Sequence, residues 1–114
     1  MPTATNKKSE SKGCPMDSVL RVLWKEWTTH ILWTLSTEGP TRFNHLNRLV
    51  NGISPKVLTD RLRQMEADGL VWREHVASIP PAVTYGLTEK GKDFDSVLKA
   101  FAAVAVKWGD GQRG

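Results

Sequence analysis

Residues 53–71 read ISPKVLTDRLRQMEADGLV, and their first residues carry three separate signals for the start of a helix. Ser54 can accept from a free backbone N–H of the first turn, Pro55 has its φ preset and no N–H to waste, and Ile53 can pack on Leu58 as a hydrophobic staple. A helix is therefore predicted from Pro55, ended by Asp68-Gly69. At about 100° per residue, Leu58, Leu62 and Met65 share one face, and Lys56, Thr59, Asp60, Arg63 and Ala67 fall opposite. The outer face is polar and small.

Upstream, Thr41 opens a short helix with Phe43, Leu46, Leu49 and Val50 on one side, and Asn51-Gly52 marks a turn straight after it. Before that, Pro15 signals a first helix striped by Met16, Leu20, Leu23 and Trp27, with a break at residues 24–27. Thr28 or Thr29 caps a second helix carrying Ile31, Leu32 and Leu35, which stops at Glu38-Gly39-Pro40. Downstream, residues 70–76 and 83–87 read as two strands, with a proline-bearing tip between them. Thr88 then caps a long helix in which Phe94, Val97 or Leu98, Phe101, Val104 or Ala105, and Trp108 recur at helical spacing. The order helix, helix, helix, short turn, helix, hairpin, helix describes a mainly α fold with a small β-hairpin wing, a winged helix-turn-helix.

Two stripes exceed what one small domain needs for its core. Met16, Leu20 and Leu23 on the first helix, and Phe94, Leu98, Phe101, Ala105 and Trp108 on the last, are expected to form a dimer interface between N- and C-terminal helices. The alternative is that both stripes close the core of a single chain.

The 114 residues have room for one domain. Residues 1–13 and 109–114 lack apolar periodicity and are expected to be mobile tails around a domain at 14–108. No apolar run approaches the ~20 residues of a bilayer helix, and the first 13 residues lack the apolar stretch of a signal peptide, so the expected location is the cytoplasm. Cys14 is the one cysteine and cannot form an internal disulfide; with His30, His45 and His75 scattered, it gives no metal-ligand spacing. No cofactor is implied. There is no glycine-rich phosphate loop, HExxH, nucleophile elbow or carboxylate pair placed for acid–base work, which excludes the common enzyme classes. The net charge is +4, and residues 40–64 hold Arg42, Arg48, Lys56, Arg61 and Arg63 against Asp60 alone. That concentration points to a polyanion beside the fourth helix.

The segments CPM, WKEWTTHIL, GPTRFNHL, GISPKVLTDRLRQMEADGLV, PPAVTYGLTEKG and KWG together resemble the HxlR family of bacterial and archaeal transcriptional regulators. The resemblance covers roughly residues 14–109. It implies a homodimer joined through its first and last helices, with one reader helix per subunit in the major groove of double-stranded DNA. A two-fold dimer places its readers about 34–36 Å apart, so the operator should be an inverted repeat. Repression is the expected sign of regulation.

In that setting Lys56 and Arg63 suit phosphate or guanine contacts, Thr59 a base edge or thymine methyl, and Ser54 a phosphate near the helix N-terminus. Asp60 either accepts from a cytosine amino group or pairs with Lys56 or Arg63 along the helix. Arg42 and Arg48 either grip the DNA backbone or are ordinary solvated charges, and Arg61 suits a salt bridge as well as a DNA contact. The wing, residues 76–84, carries no charge, where relatives often place a basic residue; Arg73 or the lysines of the N-terminal tail are the substitutes. Cys14, before Pro15, has two readings. It is a redox or electrophile sensor of the kind that some HxlR-type regulators carry, favoured as a thiolate by the helix dipole, or an inert thiol opposed by nearby Asp17. Trp24, Trp27, Trp33, Trp72 and Trp108 are many tryptophans for this length, with Trp24 and Trp33 where the family more often has smaller or polar residues, and they serve core or interface packing or line a pocket for an apolar small-molecule effector. The rival functions are a protein-interaction or small-molecule sensor module without specific DNA binding, and sequence-independent DNA binding.

Overall fold

The computed structural model describes residues 14–109 in chain order as α1 (Met16–Leu23), α2 (Thr28–Glu38), β1 (Thr41–Arg42), α3 (Phe43–Leu49), α4 (Pro55–Ala67), β2 (Val71–Val76), β3 (Ala82–Leu87) and α5 (Glu89–Trp108). Both expected tails, save Gly109, lie outside the described residues. The order is that of a winged helix-turn-helix, as the sequence predicts. None of the described helices is long and apolar enough to cross a membrane.

Leu23, Ile31, Leu32, Leu46, Leu58, Leu62 and Leu70 are fully buried, so a single core collects side chains from α1, α2, α3, α4 and the start of the hairpin. Burying each such leucine contributes roughly 1.5–3 kcal/mol, which is why the apolar face of α4 is held inward and its polar face outward. The α3–α4 turn is fixed by Asn47, whose Nδ2 donates to the Ile53 carbonyl at 3.0 Å. Gly52 supplies the positive φ of 91° that the turn requires. The N-caps of α4 and α5 are those predicted: Ser54 Oγ accepts from Val57 N at 3.1 Å, and Thr88 Oγ1 accepts from Gly91 N at 3.0 Å.

Three local expectations need correction. Neither Thr28 nor Thr29 caps α2: Trp27 does, in the left-handed region at φ 70°, with no side-chain cap bond. Thr41 does not open α3 but pairs with Tyr85, so the hairpin becomes a three-stranded antiparallel sheet of order β1-β3-β2. Finally, the proposed dimer stripes are shorter than expected. Leu23 is 0% exposed and Leu98 8% exposed, both inside the core of their own chain, and Phe94 is half-buried against that core. The reason is length. A 20-residue helix runs about 30 Å, and the buried residues of α5, Gly91, Asp95 and Leu98, all fall in its first half. There Asp95 Oδ2 meets Lys99 Nζ at 3.0 Å, and the same Nζ donates to Ser36 Oγ on α2 at 2.8 Å.

Candidate nucleic-acid interface

The outer face of α4 presents what its sequence pattern predicts. Lys56 and Asp60 are exposed and pair with each other, Nζ to Oδ2 at 3.4 Å, four residues apart along the helix. Of the two readings of Asp60, the structure displays the intrahelical one. Arg63 is exposed and has no ion-pair partner among the described residues, so its five donors are open for a bidentate acceptor. Thr59, half-buried, donates its hydroxyl to the Pro55 carbonyl at 2.8 Å, which leaves its oxygen able to accept but not to donate elsewhere. Ser54 Oγ is engaged as the cap acceptor of Val57 N, which orders the helix start and leaves its one O–H as a donor. Arg61 is half-buried on the flank of α4 and has no ion pair among the described residues.

Beside α4, the chain brings α3 against the wing. Arg42, Asn44, His45 and Arg48 on one side and residues 80–83 on the other line a cleft of about 430 Å³. Arg42 and Arg48 thus share one site. The register that places them there pairs Arg42 with Thr84 on β3. His45, exposed in the same cleft, was not among the residues the sequence pointed to. Its only signal is its position between Arg42, which precedes a seven-residue helix, and Arg48 within it, and nothing in the spacing says that the wing folds over them. The wing tip turns through a cis Ile79–Pro80 bond, with Ser78 Oγ donating to the Pro80 carbonyl, and its side chains offer no charge. Arg73 is exposed on β2, opposite Tyr85.

On α1 and α5 and just after α1, Met16 (61% exposed), Leu20, Trp24 (65%), Phe101, Val104 and Trp108 (68%) are exposed apolar side chains. Trp24 and Phe101 sit with ring centroids 5.8 Å apart, which joins the end of α1 to the second half of α5. Trp33 belongs neither to the core nor to an enclosed pocket: with Leu49, Phe101 and Ala105 it lines an open groove of about 680 Å³. Cys14 is exposed immediately before Pro15, and its carbonyl accepts from Asp17 N at 3.1 Å.

The sequence model of the HxlR-like helix-turn-helix family matches residues 22–113. The chain belongs to this family. Among its relatives, the uncharacterized HTH-type transcriptional regulator YybR of Bacillus subtilis is 34% identical over 113 residues, which span 99% of this chain and 86% of the relative. The reduced form of the transcriptional regulator YodB from B. subtilis superposes with a TM-score of 0.74 at 33% identity, covering 87% of this chain and 97% of YodB. The redox regulator HypR in its reduced form gives a TM-score of 0.78 at 30% identity, over 88% and 98% of the two chains. The HxlR-type chain is accordingly a winged helix-turn-helix transcriptional regulator in fold and family.

Proposed function

We propose that this HxlR-type regulator is a cytoplasmic, non-enzymatic homodimer that represses transcription by binding an inverted-repeat operator through α4. The observation that carries the reading is the open Arg63 on the exposed face of α4, which it shares with Lys56, while Arg42 on β1 and Arg48 on α3 line the cleft against the wing. Arg63 and Lys56 read base edges or hold phosphates, Thr59 contacts a base edge or thymine methyl, Ser54 orders the helix start against a phosphate, and Arg42 grips the backbone. Asp60 acts at second hand, by orienting Lys56. The second copy covers Met16, Leu20, Phe101, Ala105 and Trp108, all exposed in the single chain. Titrating the purified protein against its own upstream DNA and against a scrambled duplex, at several salt concentrations, tests this directly. The expected specificity ratio exceeds roughly 10³. A ratio near one with a steep salt slope points to sequence-independent binding, and no binding at all to an interaction module.

The effector in this reading is an oxidant or electrophile acting on Cys14. Two of the structural relatives support it by their states: YodB is known reduced and diamide-treated, and HypR reduced and oxidized. Cys14 is exposed next to α1, so its modification would act where the two copies meet. Diamide is expected to weaken operator binding by the native protein and leave Cys14→Ser unchanged; equal responses rule out Cys14 as the sensor.

A further inference from the structure

We propose that a cavity between α2, the sheet and α5 binds a small aromatic acid that carries a hydroxyl group at the end away from its carboxylate. The site is separate from Cys14, from the outer face of α4 and from the groove beside Trp33, and binding to it does not depend on the DNA-binding reading. The cavity has a volume of about 510 Å³, within the ordinary range for small-molecule sites, and Ser36, Pro40, Trp72, Lys92, Asp95 and Lys99 are among its lining residues.

The polar groups of the cavity are graded by depth. Asp95 is 2% exposed and yet lines the cavity, so its carboxylate belongs to the inner end. Its Oδ2 meets Lys99 Nζ at 3.0 Å, but Oδ1 is buried with no hydrogen-bond partner among the described residues. Buried acceptors in that state are few in folded proteins, because the hydrogen bonds to water are lost without replacement. A ligand hydroxyl supplies the donor that the carboxylate lacks. The carboxylate torsion is broad, so a modest turn about χ2 brings an unpaired lone pair to the ligand while Lys99 keeps its hold. Lys92 and Lys99 are exposed and mark the mouth. Two of the three donors of the Lys99 ammonium go to Asp95 and to Ser36 Oγ, which leaves one for a ligand. Lys92 meets Glu89 at 4.0 Å, an exposed pair that contributes little and yields to a competing anion. Apolar walls select the middle of the ligand. Trp72 pairs across the strands with Gly86, and a Cβ there would collide with the indole, so the ring is laid against β3. The indole and Pro40 offer flat apolar surfaces that suit an aromatic ring. Charge narrows the class further. The charged lining residues are two lysines and one aspartate, a net of +1, which matches a monocarboxylate. A cation would meet the lysines first, and a phosphate reaching Asp95 would meet a buried negative charge.

The experiment uses the full chain without DNA and para-hydroxybenzoate as the probe, with titration calorimetry for affinity and N–H NMR spectra for location. Saturable binding in or below the millimolar range is expected, with shifts at the Trp72 indole N–H, assigned through Trp72→Phe, and at the Gly39 amide. Benzoate, which lacks the donor, and para-hydroxybenzyl alcohol, which lacks the charge, should each bind about 10-fold more weakly or worse. Lys92→Met should weaken para-hydroxybenzoate about 3- to 5-fold and leave the alcohol unchanged. Asp95→Asn turns an oxygen to Lys99 and a donor to the ligand, and should narrow the preference for para-hydroxybenzoate over benzoate. The comparison of the three probes on the native protein stands even where a variant fails to fold. No saturable binding, equal affinity for benzoate, or native affinity in Lys92→Met overturns the proposal, as do shifts centred on the Trp33 indole in place of Trp72. Operator binding is measured apart from these titrations, so the failure of either reading is seen without the other.

Discussion

Trp27 holds φ at 70°, in a region that costs an ordinary L residue about 1–2 kcal/mol, and it does so because packing outweighs the backbone. Its indole is half-buried against the core and reaches over the α3–α4 turn, within 3.9 Å of where a Cβ on Gly52 would stand. Gly91 is set by a close approach of another kind. A methyl there would lie 2.1 Å from the Leu70 carbonyl oxygen, which also accepts from Thr88 N at 3.0 Å. Gly91→Ala is expected to cost about 3 kcal/mol, the upper range for overpacking, and to lower the midpoint of thermal unfolding by more than about 10 °C. Circular dichroism on heating checks this, and an unchanged midpoint would show that α5 can shift away from the strand. Arg63 belongs to the same scale but to function. Replacing it with Ala should weaken the preferred operator by about 1–3 kcal/mol and blur its distinction from scrambled DNA. Anisotropy titrations measure both, and unchanged affinity removes Arg63 from the interface. The outward facing of Arg63 was legible in the sequence because the facing of a capped helix follows from its spacing. The left-handed Trp27 was not, since only the surrounding core makes that conformation the better one.

Among the elements, α4 is the one most nearly specified by its own residues. Cap, proline and staple agree locally, and the Ser54 hydroxyl meets the Val57 N–H without help from elsewhere. Ser54→Ala should therefore cost about 1 kcal/mol, seen as a drop of roughly 4–8 °C in thermal midpoint. A loss of operator affinity larger than the stability change would mean that the helix start also contacts DNA. By contrast, β1 has two residues, too few to display a strand periodicity, and it exists only because Gly39 and Pro40 deliver the chain, extended, to the open edge of β3. That pairing has a functional effect. It places Arg42 beside Thr84 and so carries the start of α3 up to the wing, making one cleft from residues 42–48 and 80–83, which lie far apart in the sequence.

For the whole molecule, the question is what covers the apolar end built from α1 and the second half of α5. In the dimer reading, Val104→Glu, a charge placed at an exposed position among Phe101, Ala105 and Trp108, should yield monomers in analytical ultracentrifugation. It should also cut affinity for the inverted repeat by 10²-fold or more, on the order of the gain that linking two binding units provides. A dimer that survives this change meets through another surface. The sequence by itself determined the order of the helices and the hairpin, the caps of α4 and α5, the core faces of α2 and α4 and the polar outer face of α4. These follow from hydrophobic period and capping chemistry, which act over a few residues. Only the tertiary structure decided that Leu23 and Leu98 belong to the core, that Thr41 and Arg42 form a strand, and that His45 shares a cleft with the wing. Each depends on which segments, distant in the chain, end up touching: how far α5 outruns the layer beneath it, and which strand edge is free. Local periodicity marks a side chain as apolar or polar, but it does not say which surface arrives to cover it.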